Sequence, residues 1–272
     1  MIRLSMATMP RVLRVLCILL PLVLAITGFL SHILSDWWLE NLAVFLVLLA
    51  LALAYKRLPL SNTSWILLFL FLCFHEYGAL YSYSNAPLGE WMMPWFHTQR
   101  NHYDRLVHLL FGLMLTWPAL EAIGFLTRSR GAILYALGVQ FILAASALYE
   151  ITEWLVASAV DPVLGVEFIG AQGDAWDAAE DMAAALIGAL VVVCVAGTVR
   201  AWRNRRAQAQ RRSSASSADG SAASACAANS SSDNVEASSN ASASLARDDG
   251  TRSRIPPDIT TASGPSIAKF SS

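Results

Sequence analysis

Six apolar runs, each about as long as a helix needs to cross a bilayer, constrain this chain more than any other feature. A spanning helix takes ~20 predominantly apolar residues. The runs cover residues 12–34, 37–55, 64–83, about 103–125, about 131–157 and about 177–199. Turn-forming residues punctuate them: Pro59 and Ser61, then Asn85, Pro87 and Gly89, then Ser129 and Gly131, then Asp161-Pro162 and Gly165. Only 14% of the 272 residues are charged, against about 25% in soluble domains, and the mean hydropathy is +0.48. The expected fold class is all-α: a polytopic membrane bundle of six transmembrane helices over residues 1–200. A Ser/Ala-rich tail, residues 201–272, is expected to be cytoplasmic and disordered, because its composition buries too little apolar surface to offset its ordering entropy.

The first run resembles a secretory signal in having Arg3, Arg11 and Arg14 before it. It exceeds the ~7–15 apolar residues of a signal core and no clear A-x-A site follows, so it reads as a retained helix with Pro21 as a kink. Lys and Arg then set the orientation. Arg3, Arg11 and Arg14 precede the first span, Lys56 and Arg57 follow the second, Arg128 and Arg130 follow the fourth, and six arginines between Arg200 and Arg212 follow the sixth. Both ends are therefore expected in the cytoplasm of a bacterial inner membrane. With a net charge of -1, nothing suggests nucleic acid; the expected partner is the lipid bilayer. Cys17, Cys73, Cys194 and Cys226 form no C-x-x-C pair and read as small core residues rather than disulfides or thiolate ligands.

Ionisable residues inside a span are costly and face a bundle interior or water. With a ~1.5 Å rise per residue, four spans place theirs at a similar level, in the outer half. Span three carries His75 and Glu76, span four Asp104, Arg105 and His108, span five Glu150 and Glu153, and span six Asp174, Asp177 and Asp181. Asp104 and His108 are i, i+4; Glu150 and Glu153 are i, i+3; Asp174, Asp177 and Asp181 make one stripe. His75 and Glu76 lie about 100° apart and share only a wide cavity. Seven acids face Arg105, read as the only fixed cation at this level. Uncompensated buried carboxylates protonate, pair or bind a metal. His75, Glu76, Asp104, His108, Asp174, Asp177 and Asp181 are therefore candidate ligands for a divalent ion, Zn, Mn or Fe with the histidines present, or Mg. Glu150, Glu153 and Arg105 are candidate catalytic groups. Plainer roles stand beside these: Asp174 or Asp177 as a helix N-cap, Arg105 in a structural ion pair, His75 as a satisfied bundle histidine. Glu40 and His32 read as interfacial. The connection at 84–102, with Trp91, Met92, Met93, Pro94, Trp95 and Phe96, reads as an interfacial aromatic segment or a lid.

Four motifs carry a resemblance: His75-Glu76-Tyr77-Gly78, Y-D-R-L-V-H at 103–108, Y-E-I-T-E-W at 149–154, and G-A-Q-G-D-A-W-D-A-A-E-D-M at 170–182. Over roughly residues 10–200 the chain resembles the YjdF-like family of uncharacterised bacterial inner-membrane proteins. The resemblance implies a multi-pass inner-membrane protein and no activity. A weaker likeness is to membrane hydrolases of the alkaline ceramidase type, which hold zinc with an Asp-x-x-x-His pair. Only Asp104 and His108 match; the paired histidines of a later helix are absent and the helix count is six rather than seven. Three functions remain open: a metal-dependent hydrolase or transferase acting on a lipid-like substrate, a proton- or cation-coupled transporter, and a non-enzymatic scaffold.

Overall fold

The computed structural model describes residues 10–97 and 99–244. Arg3 and the end of the tail, 245–272, lie outside them. The described residues are helical with no strand. The order is α1 (Arg11–Leu30), α2 (Leu34–Ala54), α3 (Asn62–Leu80), α4 (Pro87–Phe96), α5 (Tyr103–Thr127), α6 (Ala132–Ala159), α7 (Pro162–Ile169) and α8 (Asp177–Ser244). Six are long and apolar enough to span a membrane: α1, α2, α3, α5, α6 and Asp177–Arg211 of α8. The break between the first two falls earlier than the hydropathy suggests, at residues 31–33, where the Ser31 hydroxyl bonds the Ile33 carbonyl at 3.1 Å.

The chain divides into a unit up to Arg203 and a second from Asn204. In the second unit the backbone is helical through Ser244, although its composition argues for disorder. Residues 204–211 are all exposed, so no packed face supports that stretch of the helix, and unsupported helices are marginal in water.

In the first unit α3 and α5 form the centre. α1 lies along α3, α6 lies along α5, and α7 folds back on α6. Gly165 permits that return: a Cβ there would sit 2.6 Å from the Ala157 carbonyl oxygen. Short helices α4 and α7 replace the long connections. α4 starts on Pro87, whose missing N–H costs nothing at a helix start. Trp91, Trp95 and Phe96 on α4 are exposed, as expected of an aromatic segment at a membrane interface.

The two connections are stitched together. The Asn101 N–H donates to Gln172 Oε1 at 2.9 Å, and Gln172 Nε2 returns a bond to the Asn101 carbonyl at 3.1 Å. Asn101 also donates to the Ala86 carbonyl and receives the Tyr103 N–H, starting α5. It occupies the space a side chain at Gly89 would need. Tyr103, fully buried, donates to the Phe74 carbonyl at 2.7 Å and packs on Tyr77 and Tyr83.

At the opposite end, Glu121 accepts from the Ser61 N–H at 2.8 Å, the Ser64 hydroxyl at 2.6 Å and the Trp117 indole at 3.0 Å. This carboxylate caps α3 and is fully engaged in doing so.

Candidate functional site

Glycine and alanine bring α5 and α8 together. A Cβ on Gly112 would come 2.0 Å from the Ala185 carbonyl oxygen, and one on Gly188 would come 2.4 Å from that of Leu109. Small residues at such seams let backbones meet. One turn before Gly112 lies His108, and one before that Asp104; one turn before Ala185 lies Asp181. The seam therefore brings these three side chains together. Single ligand atoms of Asp104, His108 and Asp181 all lie within 4.8 Å of one another.

α6 completes the group. His108 Nε2 is 3.3 Å from Glu150 Oε1 and 3.7 Å from Asp104 Oδ1. His108 Nδ1 is bonded to the Ser146 hydroxyl at 3.2 Å, which fixes the ring with Nε2 toward the carboxylates. Asp181 is 1% exposed and its Oδ1 has no hydrogen-bond partner; buried Glu150 Oε1 has none either. Asp177 is in hydrogen-bonding reach of Asp181, and Glu153 of Glu150.

His75 borders the same space from α3. Its Nδ1 bonds the Tyr83 hydroxyl at 2.6 Å, and the buried ring lies beside the Glu40 backbone. Glu76 turns away, as a neighbour 100° round the helix must. It accepts from Thr27 at 2.5 Å and from the Trp37 indole at 3.2 Å, and forms a separate network with α1 and α2. The structure therefore does not bring Glu76 to the Asp104 group.

Asp174 is also apart. It pairs with Arg105 and accepts from the Trp176 N–H at 2.9 Å, at the entrance to α8. That backbone bond, then Arg105, holds its pKa below the ordinary carboxylate range. Arg105 also pairs with Glu180 at 2.6 Å, so its guanidinium lies among acids at the entrance rather than over the central group. Burial, then the charge of Arg105, lowers the pKa of His102 beside it.

Two residues lie elsewhere than hydropathy implies. Arg105 is not the only cation at this level: Arg100 pairs with Asp177, lies 4.0 Å from Asp174, and donates to the Ala171 carbonyl. Glu40 is not interfacial. It is 3% exposed and accepts from the Tyr149 hydroxyl at 2.9 Å, near Asp104 and Glu153. A polar stripe of Asp36, Glu40 and Asn41 on α2 was the available signal. His32 is exposed, its ring against Tyr81.

A cavity of about 410 Å³ leads away from this group between α2, α3, α5 and α6. His75, Asp104, His108 and Tyr149 border its polar end, and the remaining wall is almost entirely apolar.

Six apolar spans enclosing a buried His and carboxylate group define a polytopic membrane protein with a polar centre toward one end. The chain belongs to the family described as predicted membrane protein DUF2238, whose model matches residues 12–202. It is similar to the inner membrane protein YjdF of Escherichia coli strain K12, with 36% identity over 188 residues, 68% of this chain and 88% of that protein. No solved structure matches.

Proposed function

We propose that this protein is a metal-dependent membrane hydrolase or transferase acting on a lipid-like substrate. The observation that carries the reading is the meeting of Asp104, His108 and Asp181 ligand atoms within 4.8 Å, with buried oxygens on Asp181 and Glu150 that accept no hydrogen bond. Six carboxyl groups, Glu40, Asp104, Glu150, Glu153, Asp177 and Asp181, surround this point. Arg100 pairs with one of them, Asp177, and His108 lies beside two more, Asp104 and Glu150. Such a concentration of buried acid calls for protons or a cation. One imidazole among carboxylates suits Zn²⁺, Mn²⁺ or Fe²⁺ better than Mg²⁺. Ser146, bonded to the opposite ring nitrogen of His108, is the orienting partner such ligands use.

Held by Asp104, His108 and Asp181, a divalent ion would supply an acidified water and polarise a carbonyl or phosphoryl oxygen. Water then adds across an ester, amide or phosphoester bond. Its oxygen goes to the acyl or phosphoryl centre, and its proton passes by way of Glu150 to the leaving group. Glu153, within reach of Glu150, positions it. Arg100 and Arg105 pair with the acids at the start of α8. The confinement of these groups to one end of the spans argues against transport, since the acid near the other end, Glu121, is engaged in capping α3.

Metal content of the purified protein tests this. Wild type is expected to hold about one divalent ion per chain, and an Asp104→Ala/His108→Ala double variant, still folded, none. No ion in wild type after supplementation with Zn²⁺, Mn²⁺, Fe²⁺ and Mg²⁺ overturns the reading.

The basic residues near the α2–α3 and α5–α6 connections support an extracytoplasmic site. A membrane-impermeant thiol reagent applied to intact spheroplasts should label Gln99→Cys, between α4 and α5, and spare Arg130→Cys, between α5 and α6, each in a cysteine-free background. The reverse pattern would place the site on the cytoplasmic face.

A further inference from the structure

The cavity between α2 and α6 has features the chemistry above does not use. Along α5 it runs from Asp104 to Leu115, a distance of ~16 Å. Spread over that length, its volume of about 410 Å³ has the width of one hydrocarbon chain rather than two. α2 and α6 are bridged at its polar end by the Tyr149–Glu40 hydrogen bond. Farther along, the two helices make no extensive contact among the described residues. Leu42, Leu46, Val47 and Leu148 both line the cavity and are 47–64% exposed on the faces of α2 and α6. The cavity therefore opens sideways, between two membrane spans, onto a surface whose solvent is lipid.

Protein interiors pack closely, and an apolar space of this size forfeits dispersion contacts along its whole wall unless something fills it. Water is a poor filler for a wall of Leu, Val and Phe, which offers it no hydrogen bonds. At that depth the available apolar matter is the hydrocarbon of the bilayer. The polar end supplies the complement: His75 and His108 nitrogens, the Tyr83 and Tyr149 hydroxyls and the Asp104 carboxyl lie where a lipid head would stop.

From these features we infer that the cavity seats one acyl chain of a bilayer lipid, which enters laterally between α2 and α6 with its polar head against the Asp104–His108 group. This deepens the hydrolase reading and rests on it for the fate of the head; the seat of the chain stands apart from any metal. It narrows the substrate to a lipid drawn from the plane of the membrane, rather than one delivered through water.

The test uses the full-length protein in phosphatidylcholine vesicles containing a phosphatidylcholine with a mid-chain diazirine, photolysed and mapped by peptide mass spectrometry. Wild type should label at the inner wall, on Leu68–Leu72 of α3 and Phe111–Leu115 of α5. Ala145→Trp, which fills the cavity from α6, should lower that labelling about ten-fold or more, as expected when a pocket that encloses its ligand is filled. Ala144→Trp, on the exposed face of α6, should leave it unchanged. Ala43→Phe, on the α2 wall, makes the same test if the first variant does not fold. Equal inner-wall labelling in all variants, or none in wild type, overturns the inference.

The Asp104→Ala/His108→Ala variant separates the two readings. Inner-wall labelling that persists while metal is lost supports both. Inner-wall labelling in a wild type that binds no metal supports the chain seat and ends the metal-dependent reading. Metal without inner-wall labelling does the reverse.

Discussion

A Gly112→Val variant is expected to lose roughly 3 kcal/mol of stability, toward the upper end of what overpacking costs, and to lose the Asp104–His108–Asp181 group with it. The Cβ alone would lie 2.0 Å from the Ala185 carbonyl oxygen and 2.9 Å from the Ala189 nitrogen. Both are backbone atoms, so no side chain can swing aside. The helices must separate or slide, and either motion acts on the site directly. Asp104, His108 and Gly112 follow one another at i, i+4 and i+8 along one face of α5, and Asp181 and Ala185 are i, i+4 on α8. A shift of one helix by a side chain's width takes Asp181 away from His108. Thermal unfolding in detergent measures the first effect and metal content the second. Gly197→Val is the control, because nothing lies within 4 Å of the Cβ it would add. Wild-type unfolding together with wild-type metal content in Gly112→Val would show that the α5–α8 seam does not set the geometry of the site.

That seam also shows where sequence reading stops. The spans, their number and the level of their ionisable residues follow from hydropathy and from the rise of a helix. So do the pairs Asp104–His108 and Asp177–Asp181, which share a face by spacing alone. Which faces meet is another matter, set by Gly112, Ala185, Gly188 and Ala189. Their spacing was visible as a small-residue pattern, but the partner of a small face is not written in its own helix. Glu76 illustrates the same limit. Depth puts it level with His75, yet the neighbouring position faces another pair of helices, where Thr27 and Trp37 meet it. Glu40 sits near the end of an apolar run, a position shared by interfacial and buried acids. Only the approach of Tyr149 from α6, 109 residues away, makes it part of the site. Arg100 lies in a connection without periodicity, so no face could be assigned to it. Its place depends on Asn101 and Gln172 tying two connections together, a contact between segments 71 residues apart.

Arg100 is also where the electrostatics of the site can be measured without knowing its substrate. Arg100→Ala is expected to destabilise the protein by about 3–5 kcal/mol, the cost of leaving one partner of a buried ion pair uncompensated. Both side chains of the Arg100–Asp177 pair are 10% exposed. Asp177 is moreover next to Asp181, so removing the guanidinium leaves acid beside acid. A substantial part of the loss should return in Arg100→Ala/Asp177→Ala, which removes the stranded charge along with its partner. Arg105→Ala makes the contrast. Its partners Asp174 and Glu180 are 24% and 49% exposed, and pairs that reach solvent contribute about 0–1 kcal/mol. Denaturant or thermal unfolding of the four proteins, in the same detergent and without added metal, supplies the comparison. If Arg100→Ala unfolds within about 0.5 kcal/mol of wild type, as substitutions at ordinary surface positions do, Asp177 is compensated by something other than Arg100. Repeating the series with a saturating divalent ion then discriminates further: an ion held among Asp104, His108 and Asp181 supplies positive charge beside Asp177 and should shrink the penalty of losing Arg100, whereas a cluster neutralised by protons gives the same penalty with and without metal.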